Sequence, residues 1–216
     1  MKITYLGHST IELLDRNTCI ILDPFLEPFD ISTDSLNPDY VLVTHGHQDH
    51  IANVEDVCRA APLVSNFEIC NYFSELESIP LNIGGSTTCG PMKVTMVTAT
   101  HSSSFPDGTY AGNPAGFIVE GEKTVYISGD TGVHSDMKIF GDRWDIDFAV
   151  LCIGGTFTMD ATGAVQCMNY LNCDEALGVH YNTFPAIEID EGKAKELFAL
   201  DDKTLHLLDA SQSMEV

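Results

Sequence analysis

Short apolar runs in this chain end repeatedly on metal-binding side chains, and that recurrence limits how the chain can fold. Tyr40-Val-Leu-Val-Thr44 leads straight into His45-Gly-His-Gln-Asp-His50. Residues 94–100 are followed by His101, residues 125–129 by Asp130, and residues 176–179 by His180. Runs of this length and β-branched content read as strands. A fully apolar strand needs cover on both faces, and loops at one edge of a rigid sheet bring distant side chains together. The expectation is therefore a sheet-on-sheet core with helices outside and these strand ends along one edge.

His45, His47, Asp49 and His50 offer four ligands within six residues. Imidazole and carboxylate suit zinc, and also manganese or iron. His45 and His47 can meet one cation; Asp49 and His50, nearer a helix start, can meet a second. His101, Asp130 and His180 supply the further ligands, with Asp130 able to bridge. Gly46 is read as letting the backbone turn sharply between the first two histidines. Two divalent cations about 3.5–4 Å apart polarise a substrate oxygen and make hydroxide from water near neutral pH. Asp49 is also suited to orient that water or take its proton.

Each of these residues has a plainer reading. A lone histidine is more often a packing or surface group than a ligand, but four ligands in six residues is not a packing pattern. For Asp130, a turn or helix-capping role after Gly129 is the rival. For His101 and His180, only their positions after strands favour ligation. His134 and His206 lack such support and are read as ordinary histidines, His206 within a final strand.

The remaining pattern fills out one unit over residues 1–216. Residues 2–14 alternate in part and 18–25 are apolar, with a hairpin turn at Arg16-Asn17. Helical spacing follows the histidine cluster, with Ile51, Val54, Val57 and Cys58 on one face. A strand is expected at 63–65 and a helix at 66–77. Strands broken by Gly90-Pro91 cover 87–100, and a strand pair covers 115–120 and 123–128. A helix at 136–144, a strand at 148–153 and a helix at 164–171 come next. A strand at 175–181, a helix at 191–200 and a strand at 204–208 complete the order.

Composition excludes several classes. Ten basic residues face 32 acidic ones, a net charge of −22, which repels phosphate backbones and argues against nucleic-acid partners. No apolar run approaches the roughly 20 residues of a membrane span. The first residues are strand-like and lack a signal peptide, so the chain reads as cytoplasmic. The seven cysteines contain no Cys-x-x-Cys pair and read as reduced, mostly buried thiols.

Thr44-His-Gly-His-Gln-Asp-His50 resembles the His-x-His-x-Asp-His motif of the metallo-β-lactamase superfamily, and Gly129-Asp-Thr131 resembles its later aspartate motif. Further stretches resemble a group of small metal-dependent hydrolases related to ascorbate-6-phosphate lactonase-like proteins. These are Gly7-His-Ser9, Asp23-Pro-Phe25, Pro114-Ala-Gly116, Ser135-Asp-Met-Lys138, Ile153-Gly154, Phe157-Thr-Met159 and His180-Tyr-Asn-Thr-Phe-Pro185. The resemblance implies an α/β four-layer αββα sandwich of two mixed sheets flanked by helices, with the site at one edge. It implies His45, His47 and His101 on a first metal, Asp49, His50 and His180 on a second, and Asp130 bridging. The nucleophile would be the bridging water or hydroxide. His8 is placed near the site as a substrate-contacting or supporting group, with a structural turn role as the rival. Thr156 and Asp160 depart from the group's pattern and are read as the positions where substrate preference differs.

The function expected is hydrolysis of an ester, lactone or phosphodiester bond in a small metabolite, using two divalent ions, Zn2+ first and Mn2+ or Fe2+ as alternatives. A redox di-iron protein on the same fold and a metal-binding protein without turnover are the other readings. Relatives of this kind are often oligomeric, which points to a homo-oligomer of unspecified order.

Overall fold

The structure is a computed structural model that describes residues 1–216. Its elements run, in order, β1 (Lys2–Gly7), β2 (Thr10–Asp15), β3 (Thr18–Leu22), β4 (Tyr40–Leu42), α1 (Gln48–Ile51), α2 (Val54–Val57), β5 (Leu63–Asn66), α3 (Phe67–Tyr72) and β6 (Ser78–Leu81). They continue as β7 (Ser86–Cys89), β8 (Met92–Thr98), β9 (Ala115–Glu120), β10 (Thr124–Ile127), α4 (Asp136–Arg143), β11 (Phe148–Cys152), α5 (Ala161–Leu171), β12 (Glu175–Val179), α6 (Glu191–Ala199), β13 (Thr204–His206) and β14 (Ser213–Glu215).

The strands form two seven-stranded sheets, in the orders β14-β1-β2-β3-β4-β5-β6 and β13-β12-β11-β10-β9-β8-β7. Each sheet is mixed. In the first, the pairs from β14 to β3 are antiparallel and those from β3 to β6 parallel. In the second, the pairs from β7 to β10 are antiparallel and those from β10 to β13 parallel.

Three apolar layers hold the sheets and helices together. Ile3, Leu13, Ile20 and Leu42 of the first sheet meet Val94, Phe117, Val125 and Val150 of the second between the sheets. Met137, Phe140, Cys167, Leu171 and Phe198 of the later helices cover the outer face of the second sheet. Val54, Val57, Ile69 and Phe73 cover the outer face of the first. This is the expected four-layer αββα sandwich, and the alternation of inward and outward side chains along strands explains it. No helix is long and apolar enough to cross a membrane.

The hairpin at Arg16-Asn17 forms with φ of 47° and 69°, the left-handed pair that a two-residue turn requires. Residues 2–14 are not one strand, however. The backbone reverses at Gly7 and His8, with φ of 109° and 51°, and β2 returns antiparallel beside β1. The helical face from Ile51 to Cys58 is split into α1 and α2. Asn53 stands at the break, its amide N–H bound to the Pro24 carbonyl and its Oδ1 accepting from the Leu26 amide. Two strands are additional to the sequence reading. β6 contains Pro80, which an edge position tolerates, and three-residue β14 closes the opposite edge on β1.

Strand direction explains where the site forms. β1, β3 and β4 point one way in the first sheet, as β8, β10 and β12 do in the second. Their carboxyl ends carry His8, Asp23, the His45–His50 segment, His101, Asp130 and His180. The two edges are joined there by the His180 amide donating to the His8 carbonyl at 2.8 Å and the Ala115 amide donating to the Thr44 carbonyl at 3.1 Å.

Candidate metal centre

The seven expected ligands converge. Asp130 Oδ2 lies 3.0 Å from His180 Nε2, 3.5 Å from His50 Nε2, 3.6 Å from His101 Nε2 and 3.9 Å from His45 Nε2. Asp49 Oδ2 lies 3.6 Å from His180 Nε2 and 3.9 Å from His50 Nε2. His45 Nε2 and His47 Nδ1 are 3.0 Å apart, and the His47 and His101 rings meet edge to face at 5.1 Å. Ligand atoms of His45, His47 and His101 all lie within 4.8 Å of one another, as do those of Asp49, His50, His180 and His8. A third group, His45, His50 and Asp130, joins the first two.

Gly46 serves this geometry by its size rather than by a turn. A Cβ there would lie 2.3 Å from the Ala111 Cβ, so the loop after β4 could not sit against residues 103–111. Before Asp130, Gly129 does require left-handed backbone, at φ 57°. No capping role for Asp130 is present: α4 begins six residues later.

Asp23, at the end of β3, fixes two of the imidazoles. Thr44 donates its amide to Asp23 Oδ1 at 2.8 Å and its hydroxyl to Asp23 Oδ2 at 2.7 Å. With its proton given to the carboxylate, the Thr44 oxygen accepts from His45 Nδ1 at 3.0 Å. Asp23 Oδ2 also faces His50 Nδ1 at 2.8 Å, both side chains fully buried. One carboxylate thus draws the Nδ1 protons of His45 and His50 away from the centre and aims both Nε2 lone pairs into it, the arrangement typical of imidazoles that bind metal.

The centre carries buried polar atoms that find no well-aligned hydrogen-bond partner in the protein. These are His50 Nε2, His180 Nδ1 and Nε2, and Asp130 Oδ1. Such atoms are costly when left unmatched. A cluster of imidazole and carboxylate donors in this state fits divalent cations, by donor type and by the orphaned atoms together. The charge distribution agrees. Burial opposes ionisation of Asp130, yet His50 and His180 hold it well below the usual carboxylate range. Burial likewise opposes Asp49, which His180 and His8 keep ionised. Burial pushes His180 down, but Asp130 and Asp49 carry it to about 9. Burial and neighbouring imidazoles, His50 above all, push His45 and His47 down. Positive charge is therefore already demanded between the two carboxylates.

His8 is buried within the cluster as well as occupying the β1–β2 turn. Its Nε2 lies 3.1 Å from Asp49 Oδ2 and its Nδ1 2.9 Å from Thr183 Oγ1. Burial lowers its pKa to about 4, so it carries one proton. The Thr183 hydroxyl has His8 Nδ1 nearer than the Tyr181 carbonyl at 3.4 Å. Thr183 then donates to Nδ1, and the Nε2–H donates to Asp49.

Neither Thr156 nor Asp160 lines the cavity over the histidines, although Phe157 of the same loop does, so the expectation that these two side chains themselves face the substrate is corrected. Asp160 caps α5, accepting from the Gly163 amide at 2.8 Å, and the Thr156 hydroxyl donates to the Ala186 carbonyl. Both line a separate surface depression behind the loop. The cavity of about 330 Å³ over the histidines is walled instead by Ser102, Phe157, Phe184 and Ile187. His134 and His206 also stand apart; His206 pairs with Glu175 at 3.0 Å. All seven thiols are free, six of them buried, and none joins the ligand groups.

Comparison with known proteins shows the chain's family and fold. A family profile described as "Beta-lactamase superfamily domain" matches residues 2–180. A "UPF0173 metal-dependent hydrolase" of Christiangramia forsetii is 44% identical over 226 residues, covering 100% of both chains. The chain belongs to the UPF0173 family of metal-dependent hydrolases, within the beta-lactamase superfamily. Another member, from Methylacidiphilum infernorum, is 42% identical over 224 residues and 99% of each chain. Among solved structures, Igni18, described as a metallo hydrolase from Ignicoccus hospitalis, superposes with a TM-score of 0.89 at 28% identity, covering 100% of this chain and 98% of that one.

Proposed function

We propose that this hydrolase holds two divalent metal ions and cleaves an ester, lactone or phosphodiester bond of a small metabolite. His45, His47 and His101 would hold the first ion and Asp49, His50 and His180 the second. Asp130 would be shared. The single observation that supports this is the Asp130 Oδ2 lying within 3.9 Å of four imidazole Nε2 atoms drawn from both sheets. When bound, such ions supply a Lewis acid for a substrate oxygen and a means of ionising water near neutral pH. Zn2+ is the first choice for this donor set, with Mn2+ and Fe2+ as alternatives.

The chain's own groups supply the rest. Asp23 holds the protons of His45 and His50 on Nδ1, away from the substrate. His8 Nε2–H holds the Asp49 carboxylate in place. Asp49, partly open to the cavity, orients the attacking water and takes its proton. Phe157 and Phe184 restrict bulk water at the mouth. The net charge of −22 disfavours polyanionic substrates, and seven free thiols suit the reducing cytoplasm.

The test is a panel of esters, lactones and phosphodiesters with the metal-loaded protein, run beside His47→Ala. The wild type should turn over at least one bond class. The variant should lose activity and metal content together; unchanged metal content would remove His47 from the site.

A further inference from the structure

The candidate ligands form the cavity floor, and the wall has a different chemistry. Of the four wall residues, Phe157, Phe184 and Ile187 are apolar and only Ser102 is polar. Phe157 is 59% exposed and Phe184 39%, so two aromatic faces stand open to solvent at the mouth of a reactive centre. Phe67 and Tyr110 are exposed to a similar degree away from the site, so what distinguishes these two rings is their shared place on the wall of the cavity over the ligand cluster. No lysine or arginine lines the cavity. Several of the chain's ten cations are paired away from it, among them Arg59 with Asp34, Lys123 with Asp147 and Lys203 with Asp174.

The wall is also held in place. Phe184 packs against the buried His8 ring at 5.5 Å and against Phe25 at 6.2 Å. The Ile187 amide donates to the Phe184 carbonyl and the Asn182 amide to the Ile187 carbonyl. The Thr156 hydroxyl ties the Phe157 loop to the Ala186 carbonyl. Two loops from different strand ends are thereby fastened beside one another, each presenting a phenyl ring.

We infer that the substrate is an uncharged ester or lactone whose non-reacting part is an apolar group seated between Phe157 and Phe184. A phosphate or carboxylate tail would find no charge-assisted donor on this wall and would lie near Asp49. An alkyl or aryl group would bury against two rings and Ile187. Thr156 is a positioning residue for this wall and does not touch the substrate. The inference deepens the hydrolytic reading and rests on it.

The experiment separates the two. Binding of hexanohydroxamic acid and of its ω-carboxylate counterpart to the metal-loaded protein is measured by isothermal titration calorimetry. Both probes chelate through the same head group and differ only in tail charge. The apolar probe is expected to bind at least about tenfold more tightly, the scale set by apolar pocket contacts. Phe157→Ala/Phe184→Ala should erase that difference while elemental analysis shows unchanged metal. Thr156→Val should shrink it by raising the dissociation constant of the apolar probe alone, and Thr156→Ser should restore it. Equal or tighter binding of the carboxylate probe, or a preference that survives the double variant, overturns the inference. In turnover assays, apolar esters should exceed matched esters with a charged tail in kcat/KM. If no ester or lactone is cleaved while the binding preference stands, the ester and lactone assignment is overturned and the apolar site is not.

Discussion

At the scale of single residues, the centre depends on side chains that touch no substrate. Asp23 is fully buried and serves Thr44, and through it His45, as well as His50. Asp23→Asn keeps the shape but halves the acceptor capacity and removes the charge. It is expected to weaken metal binding by about 10–100-fold with an unchanged circular dichroism spectrum, as read by chelator competition. The seven ligand candidates are legible in the sequence because four of them crowd into six residues and the others follow apolar runs. Asp23 obeys the same strand-end pattern. Its role is hidden because a left-handed backbone, φ 46°, is what turns its carboxylate toward the histidines. The strand-end pattern misses His8, which only the resemblance places near the site, for a related reason: reading 2–14 as one strand conceals that β1 ends at Gly7. Phe157 and Phe184 carry no local signal, since only tertiary placement distinguishes an aromatic at a cavity mouth from one in a core.

At the scale of elements, local chemistry and long-range demands part company. Most helices and strands appear where period and turn residues place them, and their ends move by a few residues. Asp160 shows how a local role can explain a residue that the sequence reading takes for a specificity position: it caps α5. Asp160→Ala is expected to cost about 1 kcal/mol of stability in urea unfolding and to leave kcat/KM unchanged. A change in kcat/KM at constant metal content would return Asp160 to the site. The short strands β6 and β14 are not legible because their sequences, with Pro80 and Ser213 among few residues, have little strand character of their own. Pairing with β5 and β1 makes them strands.

At the scale of the whole molecule, the centre straddles the seam between the sheets. His8, Asp23 and the His45–His50 segment come from the first sheet, and His101, Asp130 and His180 from the second. Any cation held by both groups ties the sheets at an edge where few backbone hydrogen bonds cross. Removing metal with a chelator is therefore expected to lower the thermal midpoint, and restoring it to raise the midpoint again. Saturation at about 1,000 times the dissociation constant corresponds to roughly 4 kcal/mol. An unchanged midpoint would mean that the ions do not contribute to the native state. The excess of 22 negative charges adds to this sensitivity, because self-repulsion weakens the compact state.

The proposed sharing of Asp130 between two ions is tested most directly by counting metal. Elemental analysis of Asp130→Asn beside the wild type, after loading with zinc and gel filtration, gives the number of ions per chain. Two ions are expected in the wild type, and both positions should fail together in the variant. A variant that keeps one ion bound as tightly as before, or a wild type that holds only one, would contradict a dinuclear centre bridged by Asp130.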